Sequence, residues 1–330
     1  MIQFLSDNID QLDLALDQLA ISDRNFDRFA LMLIDNVVEL TLHKFAQDKD
    51  TENNSWRSLD MPTNDPKVVA KAMGQNFDAK VKAAAKFGLI DESTCETLLN
   101  LHSFRNTAYH KGLRHERILH SLAIFYFRNA CALLTAYKPG WFGWHSGDKI
   151  SYRAMKYIGS EVSFSAAENY KAAYVRLDSI AEKFDESLVD DLAADMSATI
   201  ESTDDDLEFL STNSPTPISR DQVIVDTQAW PFGFSEEGKS FAANNGCPAN
   251  TVGAIVDWIA ENYNWQIKKD PIVGWRERLD ALAGEKDYHK ALKRYCDFMR
   301  QTDKIRSQLS DSSAALDSHI QHAVDLARGK

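Results

Sequence analysis

The residues best suited to chemistry are concentrated in one stretch, His102-Ser-Phe-Arg105-Asn106-Thr-Ala-Tyr109-His110-Lys111-Gly-Leu-Arg114-His115. Histidine moves protons near neutral pH because its unperturbed pKa is about 6.5. Arginine stays charged and presents a planar fork that fits phosphate oxygens. Asparagine after an arginine either joins such a site or caps a helix end. These types together suit a phosphate-bearing ligand. Charge agrees: between Asn100 and Lys138 the bases are Arg105, Lys111, Arg114, Arg117, Arg128 and Lys138, and the acid is Glu116. That local excess of five positive charges sits in a chain of 330 residues with a net charge of −12. The negative total argues against a protein that coats nucleic acid by bulk electrostatics, yet permits a local basic site.

Other chemistries find less in the sequence. It has no GxxxxGK[ST] phosphate loop, no GxGxxG after a strand, no HExxH and no GxSxG. Cys95, Cys131, Cys247 and Cys296 lie far apart without a CxxC pair. His110, His115 and His120 advance in five-residue steps that spread around a helix. No metal and no cofactor is therefore expected.

Arg105-Asn106-Thr-Ala-Tyr109-His110 resembles the R-x(4–6)-H motif of the HEPN superfamily, an all-helical group rich in metal-independent ribonucleases. The resemblance covers roughly Phe4 to Lys138. It implies an endoribonuclease that cleaves RNA through attack by a 2′-hydroxyl, a toxin or antiviral defence effector restrained by a regulatory or antitoxin partner. It further implies a homodimer in which Arg and His from both subunits line one cleft. Arg105, His110 and Asn106 would be catalytic, Tyr109, Glu39 and Asp35 supporting, and Lys111 and Arg114 would hold RNA. Arg114…His120 is a second formal match, but it lies inside the following helix, where a solvent or packing role is expected.

Several of these residues have a plainer reading. Arg105 could bond helix-terminal carbonyls or pair with Asp35 or Glu39, His110 and Asn106 could serve as caps, and Tyr109 could be a packed aromatic. The alternative function is then an inactive HEPN-like module that binds RNA, a nucleotide or a protein. A spacing of five residues also sets Arg105 and His110 about 140° apart on a straight helix. A distorted turn around Thr107–Tyr109, or a second subunit, is needed to bring them to one phosphate.

The elements that would position these residues are helices. Between Arg24 and Gln47, Phe26, Phe29, Leu33, Val37 and Leu40 recur at helical spacing beside a second stripe of Leu31, Ile34, Val38, Leu42 and Phe45. Opposite them, Asp35, Glu39, His43 and Gln47 read as a solvated ladder. Further helices are expected over Pro66–Phe87, Asp91–Ala108 and Arg114–Tyr137, which gives an all-α bundle over residues 1–138. The run Ser121–Tyr137 carries Arg128 and is shorter than the roughly 20 apolar residues of a membrane span, so it reads as a buried central helix. It is apolar on nearly every side, a surplus that a two-fold partner would cover.

The acidic amino terminus lacks a basic, then apolar, leader pattern, and a cytoplasmic protein without membrane contact is expected. Residues 139–162, rich in Gly and Trp, read as a connector. Residues 163–330 read as a mainly helical extension or second domain of unassigned role. There we expect a long helix from Ser163 to Ile200, a loop over Ser211–Ser219, a short strand at Val223–Val225, and helices over Thr251–Tyr263, Glu285–Gln308 and Ser312–Ala327. Asp178 to Glu208 holds twelve carboxylates and one base, Lys183. That segment reads as a solvated face grading into a linker, or as an acidic strip that masks the basic site.

Overall fold

A computed structural model describes residues 1–330 except 60, 62, 111–115, 141–142, 144–146, 160–165, 185–186 and 330, and the side chains of 108–110, 116 and 166–167. The fold is all-α: fourteen α-helices, one short 3-10 turn and no strand among the described residues. The chain forms two compact units, residues 1–192 with 286–293, and residues 193–285 with 294–330.

The first unit is built on α1 (Ile2–Leu19) and α2 (Arg24–Arg57), which pack side by side. Asp23 starts α2 by accepting from the Asn25 amide at 3.0 Å. α3 (Pro66–Ala72) and α4 (Phe77–Lys86) lie on α2. The single helix expected over 66–87 is thus two. Asp65 caps the first, and Asn76 caps the second by accepting from Ala79 N at 2.9 Å. A capping side chain bonded to its own backbone competes with continuation of the preceding helix, which here stops at Met73. α5 (Glu92–His110) then carries the motif, and α6 (Leu119–Ala136) follows a 3-10 turn at Glu116–Ile118.

α6 is the centre of this unit. Thirteen of its eighteen residues are buried, from Leu119 through Leu134. α2 and α8 (Ala166–Ala181) flank it, with α1 and α5 completing the enclosure. The apolar surplus that suggested a two-fold partner is therefore covered within the chain, by residues beyond 138. α7 (Tyr152–Ile158), inside the expected connector, docks on α1. Asp13, 4% exposed, accepts from Tyr157 Oη and Arg153 Nη1, each at 2.5 Å, and from Lys156 Nζ at 3.3 Å. The bundle thus continues past residue 138 through α7 and α8. Of the Gly/Trp-rich stretch, Trp141, Phe142, Trp144, His145 and Ser146 lie outside the described residues.

The helix expected over 163–200 is also two. α8 ends at Ala181 and α9 (Leu188–Asn213) begins after Ser187, whose hydroxyl donates to Asp191 at 2.7 Å. α9 is a continuous helix from Leu188 through the rest of the acidic segment, so that part is helical and not an irregular linker.

In the second unit, Val223–Val225 is helical and not a strand. Ser219 caps α10 (Arg220–Phe234) through the Gln222 amide at 3.2 Å, and Val223 and Ile224 are buried. Packing of that apolar face outweighs the weak strand preference of β-branched residues. α11 (Glu236–Asn244) and α12 (Val252–Asn262) close on α10 around Phe232, Phe241, Trp258, Tyr263 and Trp265. Gly238 is required there: a Cβ would sit 1.9 Å from the Phe232 carbonyl oxygen. After α13 (Ile272–Ala283), the two helices expected over 285–327 are one, α14 (Tyr288–Ala327). No helix among the described residues is long and apolar enough to cross a membrane.

Candidate functional site

Asp35 is the centre of the site. It lies on α2 between Leu31, Val38 and Leu42, and all four are fully buried. A buried carboxylate must be hydrogen-bonded to remain charged at tolerable cost, and both of its oxygens are engaged. Oδ1 accepts from His102 Nδ1 at 2.8 Å and from Tyr126 Oη at 2.7 Å. Oδ2 accepts from Arg105 Nε at 2.7 Å and also from Nη2 of the same guanidinium. The solvated ladder expected along α2 therefore fails at Asp35. Glu39, one turn on, accepts from the buried Lys80 Nζ at 2.7 Å and lies 4.0 Å from Arg105 Nη2. His43 and Gln47 bond each other at 3.1 Å.

α5 delivers the other partners. His102 and Arg105 are three residues apart and so share a helix face, which turns toward α2. Arg105 Nη1 donates to the Asn106 side-chain oxygen at 2.9 Å, so Asn106 acts on the guanidinium and not as a helix cap. Phe77 lies flat against the His102 imidazole, with ring centroids 3.8 Å apart and planes 5° apart. Tyr126 comes from α6. Its burial, and next the Asp35 charge, hold the phenol far above its ordinary pKa, so it remains a donor. Three helices and the start of α4 thus fix one guanidinium, whose side chain keeps 25% of its surface open.

α5 runs without interruption through His110, and no distorted turn appears at residues 107–109. Positions 105 and 110 stay about 140° apart around the helix. The expected roles of Tyr109 and His110 rest on side chains outside the described residues, and Lys111, Arg114 and His115 lie outside them altogether.

Of the remaining bases in the positive stretch, Arg128 pairs with Asp178 at 3.1 Å and Glu182 at 3.2 Å. Arg117 and Lys138 are exposed. His120 donates from Nδ1 to the buried Asp27 at 2.7 Å, a specific ion-pair partner where only a solvent or packing role was expected. The acidic segment is engaged by partners along the chain, Asp178 and Glu182 by Arg128 among them. Asp191 accepts from Ser121 and Ser187, Asp195 from Tyr295 Oη at 2.5 Å, and Asp204 from Arg220 and Arg276.

His102, Tyr126 and Lys80 were not singled out as site residues by sequence reasoning. A signal for the first was present: Asp35 falls in the apolar spacing 31, 35, 38 and 42, and a carboxylate in a core stripe demands donors. His102, at helical spacing from Arg105, is one. Comparison with protein-family models, with curated proteins and with solved structures finds no match to this chain.

Proposed function

We propose that this chain is a metal-independent endoribonuclease of the HEPN kind, acting as a toxin or antiviral defence effector. Arg105 would face the scissile phosphate, His110 would carry a proton, and Lys111 and Arg114 would follow the RNA backbone. The observation that carries this reading is the Asp35–Arg105 clamp. A buried ion pair is a poor stabiliser compared with apolar packing, but it holds a guanidinium in one orientation. Such preorganised charge is what a developing phosphorane needs. The donation from Arg105 to Asn106 adds a second restraint and gives the asparagine after the arginine a reason to be there.

The unbroken helix through His110 bears on how the site would be assembled. One chain sets the two motif positions on different sides of α5, so the reading takes a second copy that supplies the opposing residue. Without that copy, the same geometry favours the alternative of a helical module that binds RNA, a nucleotide or a protein without cleaving. Purified chain and end-labelled RNA separate the two. Cleavage that is lost in both Arg105→Ala and His110→Ala supports the nuclease, whereas retained RNA binding with no cleavage by the parent protein supports the module.

A further inference from the structure

Cleavage by an internal 2′-hydroxyl moves two protons, one off the 2′-oxygen and one onto the departing 5′-oxygen. The motif Arg105…His110 offers one imidazole. A second stands beside Arg105 on the same face of α5. His102 shares the Asp35 carboxylate with it, on Oδ1 at 2.8 Å, while Arg105 Nε holds Oδ2 at 2.7 Å. The His102 side chain is 15% exposed, and its Nε2 has no hydrogen-bond partner among the described residues. Asp35 fixes the proton on Nδ1, and the flat contact with Phe77 fixes the plane of the ring. A carboxylate-oriented imidazole with its far nitrogen unengaged is the arrangement of a general base.

We infer that His102 is the general base of this reaction, an inference that rests on the ribonuclease reading above. Neutral His102, donating Nδ1–H to Asp35, carries its lone pair on Nε2 and takes the proton of the 2′-hydroxyl. The 2′-oxygen forms a bond to phosphorus, the bond from phosphorus to the 5′-oxygen breaks, and that oxygen takes a proton from His110 of a second copy. The products are a 2′,3′-cyclic phosphate and a 5′-hydroxyl, with no change of oxidation state. Arg105 faces the non-bridging oxygens, and buried Asp35 lies against the positive charge that forms on His102. His102 and Arg105 then act as one unit on one carboxylate, and the pairing does not depend on the 140° gap to position 110.

The test is the pH profile of kcat/KM on a labelled RNA panel for the parent, His102→Asn and Arg105→Ala, with and without added imidazole. Asparagine keeps an amide near the Nδ1 position for Asp35 and removes Nε2. We expect His102→Asn to lose about 100- to 10,000-fold, to lose the parent's acidic limb, and to regain rate as neutral imidazole is added. Parent-like rate and acidic limb in His102→Asn, with Arg105→Ala inactive, would overturn the inference and leave the ribonuclease reading standing. A slow His102→Asn with the parent's limb and no response to imidazole would likewise make His102 a structural residue. A parent that cleaves no RNA overturns both. If circular dichroism shows the Asn variant unfolded, His102→Gln is judged by the same three readouts.

Discussion

Asp35 and Arg105 form an ion pair of unequal exposure: the carboxylate is fully enclosed, while a quarter of the arginine side chain reaches solvent. Removing the buried member leaves four donors, one each on His102 and Tyr126 and two on Arg105, without their acceptor. Asp35→Ala should therefore destabilise the fold by about 3–5 kcal/mol, read as a lower urea midpoint for unfolding. A change below about 1 kcal/mol would mean that the pair behaves as an exposed one.

Trimming the same network at Tyr126 should be milder. Tyr126→Phe keeps the ring in its buried place and deletes one donor to a carboxylate that retains His102 and Arg105. The expected loss is about 1.5–3 kcal/mol, the range for hydrogen bonds to charged groups. Urea unfolding checks it, and a loss as large as that of Asp35→Ala would show that the phenol, not the guanidinium, secures the carboxylate.

If a second copy completes the site, defective chains should complement. Equal mixing of Arg105→Ala and His110→Ala chains, with random two-fold association, leaves about one site in four with both residues intact. The mixture should then cleave RNA at about a quarter of the parent rate while each variant alone is inactive. No recovery after unfolding and refolding the two together would argue against a shared site.

Under the ribonuclease proposal, cleavage should persist in EDTA, because imidazole and guanidinium would supply the proton and charge terms without a metal. Abolition by EDTA with recovery on adding magnesium or manganese would remove this mechanism.

His120 makes stability depend on pH. Its bond to Asp27 raises the imidazole pKa above 6.5, outweighing burial, and Asp191 adds to the rise. A raised folded pKa gives stability that is complete below the unfolded value and fades as pH climbs through the folded one. The stability gap between the parent and His120→Gln should therefore be widest below the ordinary imidazole pKa of 6.5 and narrow as pH climbs above it, measured as urea midpoints. A gap that does not vary with pH would contradict the assignment.

The helical class and the motif-bearing helix were legible in apolar spacing, and capping residues such as Asp65 were legible by type. The helix ends at Ala72 and Ala181 were harder, since apolar periodicity runs on past both and only Asn76 and Ser187 mark new starts. Val223–Val225 misled because three β-branched residues in a row favour a strand locally, while burial of that helix face is a long-range effect. At the site, Arg105 and Asn106 could be picked by type. The enclosure of Asp35 depends on α5 and α6 closing over α2, which no local window contains.

The path of α6 has a practical bearing on how this protein can be divided. Its apolar surface is sealed on one side by α2 and on another by α8, which starts nearly thirty residues after α6 ends. A chain cut at residue 138 would keep the motif and lose that seal, exposing a seam that invites self-association. Oligomers of such a fragment would report on the cut and not on the native protein, so copy number must be measured on the whole 330-residue chain.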